Sequence, residues 1–134
     1  MRKPTVLFVD DDALTRRIYG YRFTSLGIPN FVADSAEAAV QILEENRVDL
    51  VVTDLMMPRY DGTALIECLR ECELTRTVPI ILFTTGGTQE NIDRAIKAGA
   101  TEVLMKQTTP PDKLVEHVYA LTKDLPSPVE STIR

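Results

Sequence analysis

Short apolar runs alternate along the chain with longer segments in which apolar residues recur at helical spacing. Five of the short runs carry the β-branched, aromatic and aliphatic residues that predict strands. They lie at Val6–Val9, Asn30–Ala33, Asp49–Thr53, Pro79–Phe83 and Thr101–Met105. The third, DLVVT, is apolar after its first residue, which is typical of a strand buried on both faces of a parallel sheet.

Five of the longer segments predict helices, each with a recognisable start or end signal. They span Ala13–Leu26, Ser35–Asn46, Thr63–Cys72, Gln89–Ala98 and Pro110–Asp124. The first shows helical spacing at Leu14, Ile18, Tyr21 and Leu26. It stops at Gly27, because glycine readily adopts the left-handed conformation at a helix end.

Five β–α units in series predict an α/β protein with a parallel sheet and helices on both of its faces. Right-handed crossovers restrict the layout, and the flavodoxin-like strand order 2-1-3-4-5 is the common five-stranded solution. We expect one such doubly wound domain over residues 1–124, and a tail or the start of a linker over 125–134.

Composition and charge exclude several classes of protein. The 134 residues carry a formal net charge of −5, so electrostatics do not favour nucleic-acid binding by this domain. Neither a membrane span nor a secretory signal is recognisable, and we expect a cytoplasmic location. Cys68 and Cys72 lack the spacing of a zinc site and predict reduced, partly buried side chains on one helix face.

Polar residues collect where the predicted strands end. Asp10, Asp11 and Asp12 follow the first strand and Asp54 follows the third. Ligand sites in sheets of this order lie beyond the carboxyl ends of these two strands. Like charges held close together require a cation, and carboxylates without nearby His or Cys suit Mg²⁺ or Mn²⁺ better than zinc.

The fourth and fifth strands contribute a hydroxyl and an ammonium to the same edge. Thr84 and Lys106 stand there, and both side chains can hold phosphoryl oxygens. One carboxylate can then attack as a nucleophile and form an acyl phosphate. This arrangement therefore indicates metal-assisted phosphoryl chemistry.

Four sequence runs at these strand ends resemble the response-regulator receiver family of two-component signalling. They are VDDDALTRR, VVTDLMMPRYDG, PIILFTT and AGATEVLMK, and the resemblance covers residues 5–124. Each run alone is weak, but four in the family's order and spacing are a specific signal.

The resemblance implies a metal site built from four positions. Asp11 matches the direct metal ligand, and Asp10 matches its partner, which often acts through water. Asp54 matches the phosphoacceptor, which also contacts the metal. Met56 matches the position whose backbone carbonyl completes the metal shell, so its side chain matters little.

The resemblance also implies the switch and its partners. Thr84 matches the hydroxyl that moves toward the phosphoryl group, and Lys106 matches the phosphate-binding lysine. The donor would be a sensor histidine kinase, a histidine phosphotransfer protein or a small acyl phosphate. The output would be a changed face that docks an effector or a second receiver, without turnover of a substrate.

The chain departs from the family pattern beside the lysine and in the fifth strand. Gln107 stands where the family usually has a proline in a cis peptide. A cis bond before a residue other than proline costs about 3 kcal/mol, so we expect a trans bond or a strained cis one. Val103 replaces the usual aromatic, and Gly86-Gly87 predict a mobile loop.

Two other functions stay open. One is a degenerate receiver that binds its partner without being phosphorylated, which Val103 and Gln107 allow. The other is a Mg²⁺-dependent phosphohydrolase that forms an aspartyl phosphate, although such enzymes usually carry an acid where Met56 stands. Of the remaining polar residues, Asp12 and Asp61 are expected to cap helices, and His117 has no carboxylate or metal-ligand spacing around it and is assigned no role.

Overall fold

The computed structural model describes residues 2–59 and 61–125. Within them, a sheet of five parallel strands has the order β2-β1-β3-β4-β5, which confirms the predicted flavodoxin-like topology. The strands are β1 (Val6–Val9), β2 (Asn30–Ala33), β3 (Leu50–Thr53), β4 (Ile80–Thr84) and β5 (Glu102–Met105). The helices are α1 (Ala13–Ser25), α2 (Ala36–Glu45), α3 (Gly62–Glu71), α4 (Gln89–Ala98) and α5 (Pro111–Thr122).

The central strands are buried on both faces, and their side chains divide between two apolar clusters. In β1, Leu7 and Val9 face a cluster that includes α3 side chains such as Ile66. Val6 and Phe8 face the opposite cluster, which includes α1 and α5 side chains. Since successive strand residues point to opposite faces, the continuous apolar run follows from the two-sided burial.

Four helices begin at a side-chain cap. Asp12, Ser35, Asp61 and Thr88 each accept a hydrogen bond from the backbone N–H three residues on. This confirms the capping roles predicted for Asp12 and Asp61. Residues 10–12 separate β1 from α1, and residues 54–61 separate β3 from α3.

Most of the apolar stripe that predicts α1 does not face the core, and only Leu26 of its four members packs against it. Leu14, Ile18 and Tyr21 are all exposed, while Gly20 and Phe23 on the opposite side are buried. A Cβ at Gly20 would lie 3.3 Å from a Val32 methyl group, so the helix packs closely against β2 at the glycine. Helical periodicity identified the element correctly, but the close packing at glycine decides which face turns inward.

The two cysteines are exposed and free, so their predicted partial burial is wrong. The inward face of α3 is formed instead by residues such as Leu65, Ile66 and Leu69. Cys68 lies on the other side of the helix, and Cys72 is the C-cap, just beyond the last helical residue.

The expectation of no carboxylate around His117 is also wrong, because Glu102 of β5 contacts it. The Nδ1 atom of His117 on α5 lies against the Oε1 atom of Glu102. The two residues are 15 positions apart, so sequence spacing gave no sign of this pair.

No helix in the described part of the chain is long and apolar enough to cross a membrane. The predicted tail or linker falls almost entirely on residues 126–134, which lie outside the described residues.

Arg70 at the end of α3 holds together two connections at the opposite end of the sheet from the strand-end acids. Its Nε and Nη2 atoms donate to the carbonyl of Gly99, at 3.1 and 2.8 Å. Its Nη1 atom faces the carbonyls of Thr75, Arg76 and Val78 at 3.2, 3.0 and 2.7 Å. Partial burial lowers the pKa of this guanidinium below its usual value, although an arginine stays charged at neutral pH.

We expect Arg70→Lys to lower the free energy of unfolding by about 1–3 kcal/mol, since one ammonium cannot serve carbonyls on two sides. Urea denaturation at pH 7 measures the change. Arg17→Lys on the exposed side of α1 is the matched control, with an expected effect below about 0.5 kcal/mol. Equal destabilisation by both variants would contradict the bridging role of Arg70.

Candidate functional site

The strand ends bring the predicted site residues to one edge of the sheet. Asp10 and Asp54 directly follow the neighbouring strands β1 and β3. The ladder of backbone hydrogen bonds continues through both, since the Asp10 N–H donates to Ala33 and the Asp54 N–H donates to Val9, each at 3.0 Å. The backbones of both aspartates are therefore fixed by the sheet.

Three carboxylates converge at this edge. One carboxylate oxygen each from Asp10, Asp11 and Asp54 lies within 4.8 Å of the other two. Asp10 is 1% exposed and Asp54 is 8% exposed, whereas Asp11 lies in solvent. Two carboxylates of the cluster, those of Asp10 and Asp54, are therefore buried, and that of Asp11 is exposed.

Lys106 extends over the cluster from the end of β5. Its Nζ atom lies 2.5 Å from Asp10 Oδ2 and donates a hydrogen bond to Asp54 Oδ2 at 3.0 Å. The ammonium also lies 6.0 Å from the centre of the Phe83 ring, within reach of a cation–π attraction. A single cation therefore joins the two buried carboxylates.

Burial and neighbouring charges shift the pKa values of Asp54 and Lys106. Burial raises the pKa of Asp54 above its usual value, and although the hydrogen bond from Lys106 opposes this, the net shift is upward. Burial alone would lower the pKa of Lys106, but its hydrogen bonds to Asp10 and Asp54 outweigh this and raise it. Burial therefore makes the ionisation of Asp54 costly, while the two carboxylates favour the charged form of Lys106.

Asp10 is held by two further contacts from the start of α1. Its Oδ1 atom accepts a hydrogen bond from the backbone N–H of Asp12 at 2.8 Å. Its carbonyl accepts one from Arg16 Nη1 at 2.6 Å. Arg16 was not among the site residues predicted from the sequence. Its position six residues after Asp10, in the next helix, is the signal that could have indicated this contact.

Thr84 and Met56 lie beside the cluster. Thr84 is buried at the end of β4, and its hydroxyl donates to the Gly86 carbonyl at 2.8 Å. Met56 lies in the loop after Asp54 with an exposed side chain. The roles of the Thr84 hydroxyl and of the Met56 carbonyl stay predictions.

Gly62 permits the close approach of α3 to the site. A Cβ at this position would lie 2.1 Å from the backbone oxygen of Asp54, inside any allowed contact. The Gly62 N–H also donates to the Leu55 carbonyl at 2.7 Å. The first turn of α3 therefore rests directly on the backbone that carries Asp54.

The donor set fits a hard divalent cation. All three acids offer oxygen, and a magnesium ion bound by proteins typically uses a few carboxylates together with water. Three carboxylates and one ammonium carry a formal charge of −2, which a divalent cation would neutralise. The residues that could hold the ion are thus Asp10, Asp11 and Asp54.

Comparison with known proteins identifies relatives of this chain. The sequence profile of the response regulator receiver domain matches residues 6–119. The phosphate regulon transcriptional regulatory protein PhoB of Pseudomonas aeruginosa is 27% identical over 96% of this chain. The match covers 56% of that protein, so the chain spans about half the length of this relative.

Solved structures share the fold. A response regulator receiver protein from Pseudomonas putida superposes with a TM-score of 0.82 at 30% identity, covering 90% of this chain and 98% of that one. The receiver domain of a sensor histidine kinase from Pseudomonas aeruginosa PAO1 has a TM-score of 0.81 at 24% identity, covering 92% and 100%. That second structure has a magnesium ion coordinated in its active-site cleft.

We expect Gly62→Ala to lower the free energy of unfolding by about 2 kcal/mol or more, because the new methyl group overlaps the Asp54 carbonyl. Gly86→Ala is the matched control, since a Cβ there meets nothing within 4 Å. Urea denaturation of both variants measures the difference. Similar midpoints for the two would show that α3 can move away from Asp54 without cost.

We expect Asp54→Asn to raise the melting temperature by about 3 °C in metal-free buffer at pH 7. The substitution removes a buried charge, and Lys106 keeps Asp10 as its partner. Because the pKa of Asp54 is raised on folding, its ionisation costs stability at neutral pH. The gain should therefore shrink as the pH falls through the raised pKa of Asp54 and be lost below about 4, the usual aspartate value.

Thermal melts of wild type and Asp54→Asn in EDTA, at pH 7 and pH 4, test this expectation. Asp34→Asn, at an exposed acid just after β2, controls for the change in net charge. If Asp54→Asn melts at a lower temperature than wild type at pH 7, the hydrogen bond from Lys106 to Asp54 stabilises the fold by more than the burial of the Asp54 charge destabilises it.

Proposed function

The chain belongs to the response regulator receiver domain family, and from this we propose that it is a phosphorylation switch with Asp54 as the phosphoacceptor. The observation that carries the proposal is the position of Lys106 Nζ, in contact with both Asp54 and Asp10 inside the acidic cluster. An ammonium so placed can neutralise charge on an incoming phosphoryl group.

The proposed step transfers a phosphoryl group from the donor to the Asp54 carboxylate. An oxygen of the Asp54 carboxylate attacks phosphorus and forms an aspartyl phosphate, while the bond from phosphorus to the donor breaks and the donor keeps the electron pair. The Leu55 N–H already donates to Asp54 Oδ1 at 2.7 Å and fixes the orientation of the carboxylate. Such transfer depends mainly on alignment and charge neutralisation.

Magnesium would supply the remaining positive charge, with manganese as a chemically similar substitute. We propose that Asp10, Asp11 and Asp54 hold it through their carboxylates, and Met56 through its backbone carbonyl. Asp10 is held in place by Asp12 and Arg16, whereas Asp11, which is exposed, would contribute its carboxylate at the solvent-facing side of the cluster.

The consequence we propose is a change of conformation, without turnover of a substrate. A phosphoryl group adds a charge of about −1.5 to −2 at this edge of the sheet. The Thr84 hydroxyl, which donates to Gly86 in the structure described here, would turn toward the new oxygens and shift the loop before α4.

The partners follow from the same chemistry. A histidine kinase or a histidine phosphotransfer protein would supply the phosphoryl group, and an effector or a second receiver would bind the changed face. The cytoplasmic location and the lack of direct nucleic-acid binding stay predictions from the sequence. A degenerate receiver and a phosphohydrolase are the alternatives that the first experiment distinguishes.

We expect wild-type protein incubated with acetyl phosphate and Mg²⁺ to gain one phosphoryl group, as measured by intact mass. The gain should vanish in EDTA and in Asp54→Asn. Asp12→Asn is the matched control from the same acidic run and should be phosphorylated normally, since asparagine caps a helix as well as aspartate does.

If no adduct forms, binding of beryllofluoride with Mg²⁺ decides between the alternatives. Binding would show a phosphoryl group too short-lived to detect, whereas its absence would favour the degenerate receiver. Continuous release of phosphate from a phosphomonoester would instead favour the phosphohydrolase.

A further inference from the structure

Gln107 connects the two loops that flank the phosphoacceptor. It lies in the short 3-10 turn Lys106–Thr108, immediately after the lysine that contacts Asp54. Its side-chain Nε2 atom donates a hydrogen bond to the backbone carbonyl of Thr85 at 2.6 Å. Thr85 directly follows Thr84, and Gln107 directly follows Lys106. The hydrogen bond therefore joins the residue after the switch threonine to the residue after the lysine.

The turn that carries Gln107 is anchored on its other side to the core. The Tyr19 hydroxyl of α1 donates to the carbonyl of Thr109 at 2.8 Å. The Tyr19 ring stacks on Phe8 and meets the edge of Phe83, with ring centres 5.4 and 5.2 Å apart. The Gln107 side chain therefore reaches toward the Thr85 loop from a fixed base.

Within the described residues, Thr85–Gly87 form hydrogen bonds with Thr84 and Gln107. The Thr84 hydroxyl donates to Gly86, and the Gly86 N–H lies 3.3 Å from the same hydroxyl oxygen. A Cβ at Gly86 would meet nothing within 4 Å, and Gly87, which lies against the Leu55 side chain, has a φ of 125° that favours glycine. The Thr84 hydroxyl cannot turn toward Asp54 without giving up its bond to Gly86.

We propose that Gln107 is a positioning residue that latches the loop after β4 in its resting conformation. This proposal rests on the proposed phosphorylation of Asp54. It adds that the hydrogen bond from Gln107 to Thr85 stabilises the resting loop and so opposes the conformational change that phosphorylation would cause. When Thr84 moves toward the phosphoryl group, the Thr85 carbonyl moves with it and the bond to Gln107 breaks. A proline, which the family usually has at this position, carries no side-chain donor and could not form the latch.

The latch can be tested without any phosphorylation. In metal-free protein, Gln107→Leu should speed hydrogen exchange of the Gly86 amide about twofold to fivefold, as measured by NMR, because one net hydrogen bond is lost. Gln107→Glu keeps the side-chain length but loses the donor, so it should show the same change. Gln41→Leu, at an exposed glutamine of α2, is the matched control and should leave this amide unchanged.

The coupling to the switch is tested by the affinity for beryllofluoride in the presence of Mg²⁺. Gln107→Leu should bind it about twofold to fivefold more tightly than wild type, because the resting loop has lost a stabilising bond. Equal affinity would overturn the coupling. Weaker affinity would also overturn it, and would show that Gln107 serves to position Lys106 instead.

The two measurements separate failure of the latch from failure of the proposed function. If wild-type protein binds no beryllofluoride, the proposed phosphorylation fails, while exchange at Gly86 still decides whether the latch exists. If beryllofluoride binds but exchange at Gly86 is the same in all variants, the latch is absent and the proposed function stands.

Discussion

The repulsion among three neighbouring carboxylates is the constraint on which the rest of this structure depends. Two of them, Asp10 and Asp54, are almost fully buried at the ends of adjacent strands, where water cannot screen their charges. Lys106 offsets part of this cost by contacting both, and the charge that remains is one that a divalent cation would neutralise. The fold therefore keeps together groups that would separate in an unfolded chain.

The elements around the cluster hold each charged group in place from a different direction. The sheet fixes the backbones of Asp10 and Asp54, and the Tyr19 bond to Thr109 anchors the turn that begins with Lys106. At the other end of the sheet, Arg70 ties the connections that lead into β4 and β5. The stability of strands far from the cluster thus contributes to the geometry of the cluster itself.

The sequence predicted much of this arrangement, because strand patterning and strand-end polarity are local signals. The five strands, their order and the meeting of Asp10, Asp11 and Asp54 followed from those signals. The inward face of α1 and the exposure of the cysteines were not predictable, since they depend on close packing between elements. The bond from Gln107 to Thr85 spans 22 residues, and no periodicity along the chain indicates it.

The absence of a side chain at Gly62 limits how the backbone of Asp54 can move. With the Asp54 carbonyl in the space that a Cβ would need, α3 lies directly against the backbone of Asp54. At Gly86, in the loop before α4, an added Cβ would meet nothing within 4 Å. The Asp54 backbone therefore has no clearance on the side of α3, whereas the loop before α4 has free space beside it at Gly86.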